Sequence, residues 1–323
     1  MGNFFSSLFS SSAAKTEETE GNKAKNEQKN FDILKYDGIR AQRIGKVKYA
    51  IKCFIEALNI REDYETMGYL ASAYTMAGEL EEALGVLDGM IRLEPEKIDP
   101  LLSRVNLLFM LDRDAEAIAD CSQMIALDAD SHLPHFLMAK AKKTTGDALG
   151  AIADLTRSIA LKDDFADAYL LRADILLSLH QGKEALEDVE TALRLVPEEE
   201  TAYLLRGRIH ELLGDLEAAT EDYRHVTDLN PFNEEGCLLA GKLLITRGKH
   251  AEAVAFFDEA IETNPEFAKA YAERGRAKNL QGDKTGAFED LKKAIELNPE
   301  GDEARKFDGQ HSNFDDLYKG GIF

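Results

Sequence analysis

Two histidines in the segment SHLPH, His132 and His135, lie three residues apart, a spacing that places them on one face of a helix. Such a pair can supply two of the four ligands of a zinc ion. The nearby sequence offers no third histidine or cysteine to complete the site. We therefore expect packed or capping side chains, with His135 in the core and His132 at the start of a helix, and no metal site.

Motifs that would bind a nucleotide or carry out hydrolysis do not occur in the chain. G-x-x-x-x-G-K-[ST], G-x-G-x-x-G, H-E-x-x-H and G-x-S-x-G are all missing. Three cysteines, Cys53, Cys121 and Cys237, are far apart and form neither a metal-binding pair nor a disulfide framework. We expect them to be buried and inert. The sequence thus predicts no enzyme, no catalytic residue and no cofactor.

The composition favours a helical protein with protein partners. Apolar residues make up 44% of the 323, only 7 are proline, and the formal net charge is −21. This charge argues against nucleic acid, whose binding requires cations that neutralise phosphates. No run approaches the ~20 apolar residues of a spanning helix. The N-terminus lacks the basic segment of a secretory signal, and with three scattered cysteines we expect a reducing, cytoplasmic location.

Residues 1–30 differ from the rest in being polar and without apolar periodicity, and we expect a flexible N-terminal arm there. The arm has a short apolar start, whose side chains would share one face of a helix: Phe4, Phe5, Leu8 and Phe9. Gly2 followed by Ser6 fits the loose N-myristoylation pattern, although an unmodified terminus is the simpler interpretation. Membrane contact is therefore expected only through residues 2–9.

From residue 31 the chain repeats with a nearly constant period. One alanine recurs at intervals of 33 once and then 34 six times: Ala50, Ala83, Ala117, Ala151, Ala185, Ala219, Ala253 and Ala287. A glycine precedes it by five residues in six repeats: Gly45, Gly78, Gly146, Gly214, Gly248 and Gly282. Proline ends five repeats: Pro95, Pro197, Pro231, Pro265 and Pro299. Small residues let helices approach closely, glycine ends a helix and proline stops the next one, so each period predicts a helical hairpin.

This pattern resembles the tetratricopeptide repeat family, whose unit is a 34-residue helix–turn–helix. The resemblance covers residues 31–300 in eight repeats, followed by a capping helix and an apolar tail at 301–323. It implies an all-α, right-handed superhelical solenoid. With the repeat alanine counted as position 20, the slot of the family's frequent tryptophan is position 4, held by Leu34, Met67, Leu101, His135, Tyr169, Tyr203, Cys237 and Tyr271. Val105 departs from the small residue expected at position 8.

In this family ligands lie along the concave face, which the first helix of each hairpin, helix A, lines. The register implies these partner-binding residues: Leu102, Asn106, Phe136, Lys140, Leu170, Asp174, Leu204, Arg208, Leu238, Lys242, Arg276 and Asn279. The fifth positions form an apolar stripe in the middle repeats, and four of the last five ninth positions are basic. Such a face suits a peptide with acidic and aliphatic side chains. Alternatively, the leucines pack between neighbouring helices and the cations pair with nearby acids.

The sequence thus predicts a non-catalytic scaffold or adaptor that binds a peptide or protein segment in the groove of a helical solenoid. A structural subunit tethered to a membrane or assembly by the phenylalanine-rich N-terminus is the alternative. A homodimer formed through the solenoid ends stays open. So does the role of the C-terminal tail, which we expect to pack on the last repeat or, less readily, to dock in a groove.

Overall fold

The structure, a computed structural model, describes the backbone of residues 6–301 and the side chains of residues 23–301. These residues form helices and turns, without strands. The helices are α1 (Ser6–Arg43), α2 (Val47–Ile60), α3 (Tyr64–Ala77), α4 (Leu80–Leu93), α5 (Asp99–Met110), α6 (Asp114–Leu127), α7 (Leu133–Thr144), α8 (Ala148–Leu161), α9 (Ala166–Ser178), α10 (Gly182–Leu195), α11 (Glu200–Leu213), α12 (Leu216–Leu229), α13 (Glu234–Thr246), α14 (His250–Thr263), α15 (Ala268–Leu280) and α16 (Lys284–Leu297).

Consecutive helices pair into hairpins, each with an odd-numbered helix A and an even-numbered helix B, and we number these repeats 1 to 8. The all-α fold of stacked hairpins predicted from the period is therefore confirmed. The chain divides into two compact units, Met1–Leu161 and Lys162–Phe323. Repeats 1 to 4 fall in the first unit and repeats 5 to 8 in the second. None of the described helices is both long and apolar enough to cross a membrane.

The N-terminal region differs from the flexible arm expected at residues 1–30. Helix α1 begins at Ser6 and continues without interruption through residue 30. The segment has many good helix formers and no proline, which explains how a helix continues through it. Residues 23–30 are all exposed, whereas Phe31 is 1% exposed, so packing against the repeats starts where the repeat pattern starts. Phe4 and Phe5 lie outside the described residues, as do the capping helix and apolar tail expected beyond residue 301.

Each turn between helix A and helix B contains one residue with positive φ, at position 15. The six predicted glycines adopt it, with φ between 73° and 90°. In repeats 3 and 5, which lack this glycine, Asp112 and His180 take the same conformation with φ of 54° and 60°. The nearby Gly182 does not replace it, because it is the buried first residue of α10. The turn geometry is thus imposed by the hairpin even where the side chain opposes it.

The core lies between the helices of each hairpin, where side-chain sizes at positions 8 and 24 are matched in repeats 1 to 7. Repeat 8 departs from this by combining Gly275 with Leu291. All eight repeat alanines are 0% exposed. Glycine at position 8 faces a buried aromatic ring in three repeats: Gly38 and Phe54, Gly207 and Tyr223, Gly241 and Phe257. Alanine is combined with an aliphatic residue in three others: Ala71 and Leu87, Ala139 and Leu155, Ala173 and Val189. The unusual Val105 is matched by the small Cys121, and both are 0% exposed.

Ion pairs inside four hairpins are a feature that the sequence interpretation missed. An arginine at position 7 of helix A donates two hydrogen bonds to an aspartate at position 23 of helix B: Arg104 and Asp120, Arg172 and Asp188, Arg206 and Asp222, Arg274 and Asp290. These aspartates are only 4–6% exposed. Each bidentate pair joins helix A to helix B of its hairpin. Because the aspartate is buried, loss of its arginine would leave an unpaired charge at a large cost in stability.

Candidate functional site

The helix-A face of the second unit contains the predicted apolar residues, but they are not equally available. Leu204 is 8% exposed and packs in a core cluster with Tyr223 and Val226. Ala272 is 9% exposed. Leu170 and Leu238 are half-buried, and Leu238 packs against a second core cluster. The stripe therefore contributes largely to packing, as the alternative interpretation foresaw, while Leu170 and Leu238 keep part of their surface open.

The predicted basic residues of this unit lie one turn further along the same helices, and each has an acidic neighbour. Arg208 donates a hydrogen bond to Glu235 on the next helix A. Lys242 Nζ lies 3.4 Å from Glu273 Oε1, and Arg276 lies 3.6 Å from Glu273 Oε2. The side chains of Arg208 and Lys242 stay 44% and 48% exposed. Three cations thus share two carboxylates on a face that water reaches.

The other two predicted residues of the second unit border this row. Asp174 is half-buried on α9, at the ninth position of repeat 5. Asn279 is half-buried near the end of α15. Asp174 places a negative charge at the α9 position that corresponds to the cations of the later repeats. The positive row therefore consists of α11, α13 and α15 only.

In the first unit the predicted residues are Leu102, Asn106, Phe136 and Lys140. Leu102 and Phe136 are half-buried against the core cluster, and Asn106 is exposed. The Lys140 ammonium lies 4.8 Å from the centroid of the Phe109 ring, a cation–π contact between α5 and α7. Lys140 therefore already has a partner within its own unit.

A groove of about 470 Å³ between α3 and α5 was missed by the sequence interpretation, although Asn106 is one of its lining residues. Two exposed methionines, Met76 and Met110, lie along it. The groove exists because position 5 of repeat 2 is Gly68, which leaves the space between the helices unfilled. That glycine is the signal that could have located the groove, since other repeats have a larger residue there.

His132 and His135 are half-buried, and all three cysteines are buried. His135 Nδ1 lies 3.8 Å from an Asp154 oxygen, and burial lowers the pKa of this histidine. His132 is the residue preceding α7. Burial raises the pKa of Cys121 and Cys237 to about 12. Within the described residues no group of three or more potential ligands could hold a metal ion.

Comparison with known proteins gives one family match. The family model described as tetratricopeptide repeat matches residues 170–234 and 238–302. No curated protein sequence matches the chain.

Several solved structures match the chain at low sequence identity. A structure described as YrrB, a TPR protein with an unusual peptide-binding site, is 23% identical, with a TM-score of 0.47 over 57% of this chain and 95% of that one. MamA is 19% identical, with a TM-score of 0.48 over 57% of this chain and 100% of that one. Residues 41 to the end of MamA from Desulfovibrio magneticus RS-1 are 20% identical, with a TM-score of 0.48 over 51% and 93%.

Proposed function

Because the chain is a tetratricopeptide repeat protein, and such repeats are protein-interaction scaffolds, we propose that its second unit binds a peptide along α11, α13 and α15. The observation that carries the proposal is the row of Arg208, Lys242 and Arg276 on these three helices. In a chain with a net charge of −21, three cations at one repeat position form a local positive row. The scaffold acts by binding and not by catalysis.

The ligand that suits this row carries acidic side chains beside aliphatic ones. Its carboxylates would compete with Glu235 for Arg208 and with Glu273 for Lys242 and Arg276. Exchange at Arg208 has a small net cost, because Glu235 is exposed and both states keep the cation paired. Glu273 is only 17% exposed, so its exchange costs more. Aliphatic side chains would cover the open parts of Leu170 and Leu238 and supply burial. Binding should therefore be moderate, fast and sensitive to salt.

The test is a charge reversal on the row with a matched control. The probe is the peptide acetyl-Glu-Leu-Glu-Glu-Leu-Glu-amide, titrated by calorimetry at low salt. The triple variant Arg208→Glu, Lys242→Glu, Arg276→Glu should weaken binding at least about tenfold, which corresponds to ~1.4 kcal/mol.

The control variant reverses three cations that lie on the helix-B side of the same unit: Arg194→Glu, Lys292→Glu and Lys293→Glu. It makes the same change in net charge and should leave the affinity within about twofold, since screening limits distant charges. Equal losses in both variants would show that net charge alone attracts the peptide, and the proposed site would be wrong.

A further inference from the structure

Three of the four repeats in the second unit have tyrosine at position 4, and its contacts define a specific space. The Tyr169 hydroxyl donates to the carbonyl of Asp163 at 3.2 Å, and that of Tyr203 donates to the carbonyl of Pro197 at 3.1 Å. Both acceptors occupy position 32 of the preceding repeat. The Tyr203 ring also lies 4.2 Å from the ring of His225, at position 26 of its own helix B. Tyrosine therefore fills the space between position 26 and the end of the preceding repeat.

The rings of the same tyrosines lie against the guanidinium groups of three of the ion-paired arginines. Ring centroids lie 5.9, 5.1 and 5.2 Å from the guanidinium carbons, in the pairs Tyr169 and Arg172, Tyr203 and Arg206, Tyr271 and Arg274. Repeat 7 lacks all three members of this arrangement. It has Cys237 at position 4, Ala240 at position 7 and Phe256 at position 23. A ring, a cation and its carboxylate are thus replaced together.

The replacement leaves an open cavity of about 510 Å³ between α12 and α14, which we call the repeat-7 cavity. Pro231 and Glu259 line it, and they occupy positions 32 and 26, the two positions that bracket tyrosine in repeat 6. Cys237 and Phe256 also line it, in place of the missing tyrosine and aspartate. The cavity is therefore the tyrosine slot of this repeat, without its tyrosine.

Apolar side chains form part of the cavity lining, and the charged side chains at its exposed rim are mainly acidic. Ala255, Ala260 and Phe256 supply apolar surface. Three carboxylates line it against one guanidinium: Asp228, Glu252 and Glu259 against Arg224. Of these, Glu252 forms an ion pair with Lys249, whose Nζ lies 3.2 Å from Glu252 Oε1. Phe232, which follows Pro231, is 69% exposed and extends the apolar surface beside the cavity.

We infer that the repeat-7 cavity binds an aromatic side chain of a partner protein, flanked there by lysine or arginine. The ring takes the place that tyrosine fills in repeats 5, 6 and 8, and a tyrosine hydroxyl would donate to the Pro231 carbonyl. The flanking cations meet Glu259 and Asp228 at the rim. This site lies on the helix-B side, so it is separate from the proposed peptide row on α11, α13 and α15 and prefers the opposite charge.

The chain's own C-terminal segment is the less suitable occupant on grounds of charge. Residues 302–323 carry five carboxylates against three basic side chains, a net charge of −2. Tyr318 precedes Lys319 but follows Asp315 and Asp316, and Phe307 is the ring that follows two cations, Arg305 and Lys306. Two carboxylates would approach an already acidic rim, which is unfavourable. Cys237 itself acts as a small apolar residue, since a thiol with its pKa raised to about 12 stays protonated.

The test fills the cavity from within. The probes are the acetylated, amidated tripeptides Lys-Tyr-Lys and Lys-Ala-Lys, titrated into the full chain and followed by NMR shifts of the Phe256 ring. Lys-Tyr-Lys should bind saturably and at least roughly tenfold more tightly than Lys-Ala-Lys, because only it buries a ring. Cys237→Tyr should lose this preference, and Cys237→Ala, which keeps the cavity open, should retain it.

A second variant keeps the test decisive if Cys237→Tyr fails to fold. Glu259→Lys changes an exposed side chain and should weaken Lys-Tyr-Lys binding several-fold while the melting temperature stays unchanged. Equal affinity of the two peptides, or full binding by a folded Cys237→Tyr variant, overturns the inference. The full chain with Phe307→Ala, Phe314→Ala and Tyr318→Ala should bind as the unmodified chain does. Clearly tighter binding would show that the chain's own tail occupies the cavity, and would overturn the proposal that a partner protein binds there.

Discussion

Replacing Gly241 by alanine should destabilise the second unit by about 1–3 kcal/mol, although alanine is the better helix former. A Cβ at this position would lie 2.1 Å from Phe257 Cζ and 2.6 and 2.7 Å from its two Cε atoms. Carbon atoms in contact are separated by about 3.5–4.0 Å, so the ring would have to move by more than ~1 Å. Phe257 is 0% exposed, and its surroundings leave little room for that shift.

The sign of this effect should reverse when the ring is replaced by a shorter side chain. Phe257→Leu alone should cost about 1–3 kcal/mol, because it opens a cavity beside Gly241. When Phe257→Leu is already present, Gly241→Ala should instead stabilise by up to ~1 kcal/mol, the difference in helix propensity between glycine and alanine. The double variant then has the alanine and leucine combination that Ala139 and Leu155 form in repeat 4.

The assay is chemical denaturation combined with hydrogen exchange of the amides in the mutated hairpin. Gly85→Ala in α4 is the matched control, since its Cβ would meet nothing within 4 Å. It should stabilise its hairpin by roughly 0.5–1 kcal/mol. If Gly241→Ala stabilises the chain as Gly85→Ala does, or if its effect is the same with and without Phe257→Leu, the size matching between positions 8 and 24 is refuted.

Three further predictions concern other parts of the hairpins. His180→Gly should raise the free energy of unfolding by about 0.5–1 kcal/mol, because glycine adopts φ of 60° without strain; denaturant titration measures it. Asp222→Asn should cost roughly 2–3 kcal/mol by leaving Arg206 unpaired, whereas removal of both charges in Arg206→Met, Asp222→Leu should recover most of that loss. Burial raises the pKa of Asp63, but hydrogen bonds from Thr66 and Lys35 outweigh it and hold that pKa below its usual value. The stabilisation is then present above pH ~4 and lost as the pH falls through the lowered pKa, so melting curves should show that Asp63→Asn costs about 1 kcal/mol at pH 7 and progressively less in more acidic solution.

The hairpin fold was readable from the sequence because few residues can occupy its tight places. A fully buried helix crossing accepts alanine, so the position of Ala50 is alanine in all eight repeats. A left-handed turn accepts glycine, so the position of Gly45 is glycine in six repeats. Asp112 and His180 show the limit of that reasoning. Packing of the two helices imposes the left-handed turn even where its glycine is missing. In those repeats only the repeat register predicts which residue forms the turn.

The candidate site was less predictable, because it depends on pairs of residues rather than on one repeated position. The register placed Arg208 and Lys242 on helix A and left open that they pair with nearby acids. It did not identify Glu235 and Glu273 as the acids that reach them from the next repeat. The size of the residue at position 4 does not by itself show that Cys237 stands where repeats 5, 6 and 8 have tyrosine. Positions 4, 7 and 23 together distinguish repeat 7 from repeats 5, 6 and 8, since all three residues change in that repeat.

The long helix α1 illustrates a different limit. Lack of apolar periodicity predicted an arm, yet a polar segment of good helix formers can extend a helix that is anchored elsewhere. Here the anchor is Phe31, which packs against the repeats and starts the buried part of α1. Periodicity reports which residues are buried, and an exposed helical extension has no buried face to report.

The most direct test of the central claim is to locate the bound peptide. Leucine methyl NMR signals of the full chain would be followed during titration with acetyl-Glu-Leu-Glu-Glu-Leu-Glu-amide. Leu170 and Leu238, the half-buried leucines of the helix-A face, should shift in proportion to occupancy. Leu195 and Leu229, exposed near the ends of α10 and α12, should not. Shifts confined to Leu195 and Leu229, or none at saturation, would contradict peptide binding along α11, α13 and α15.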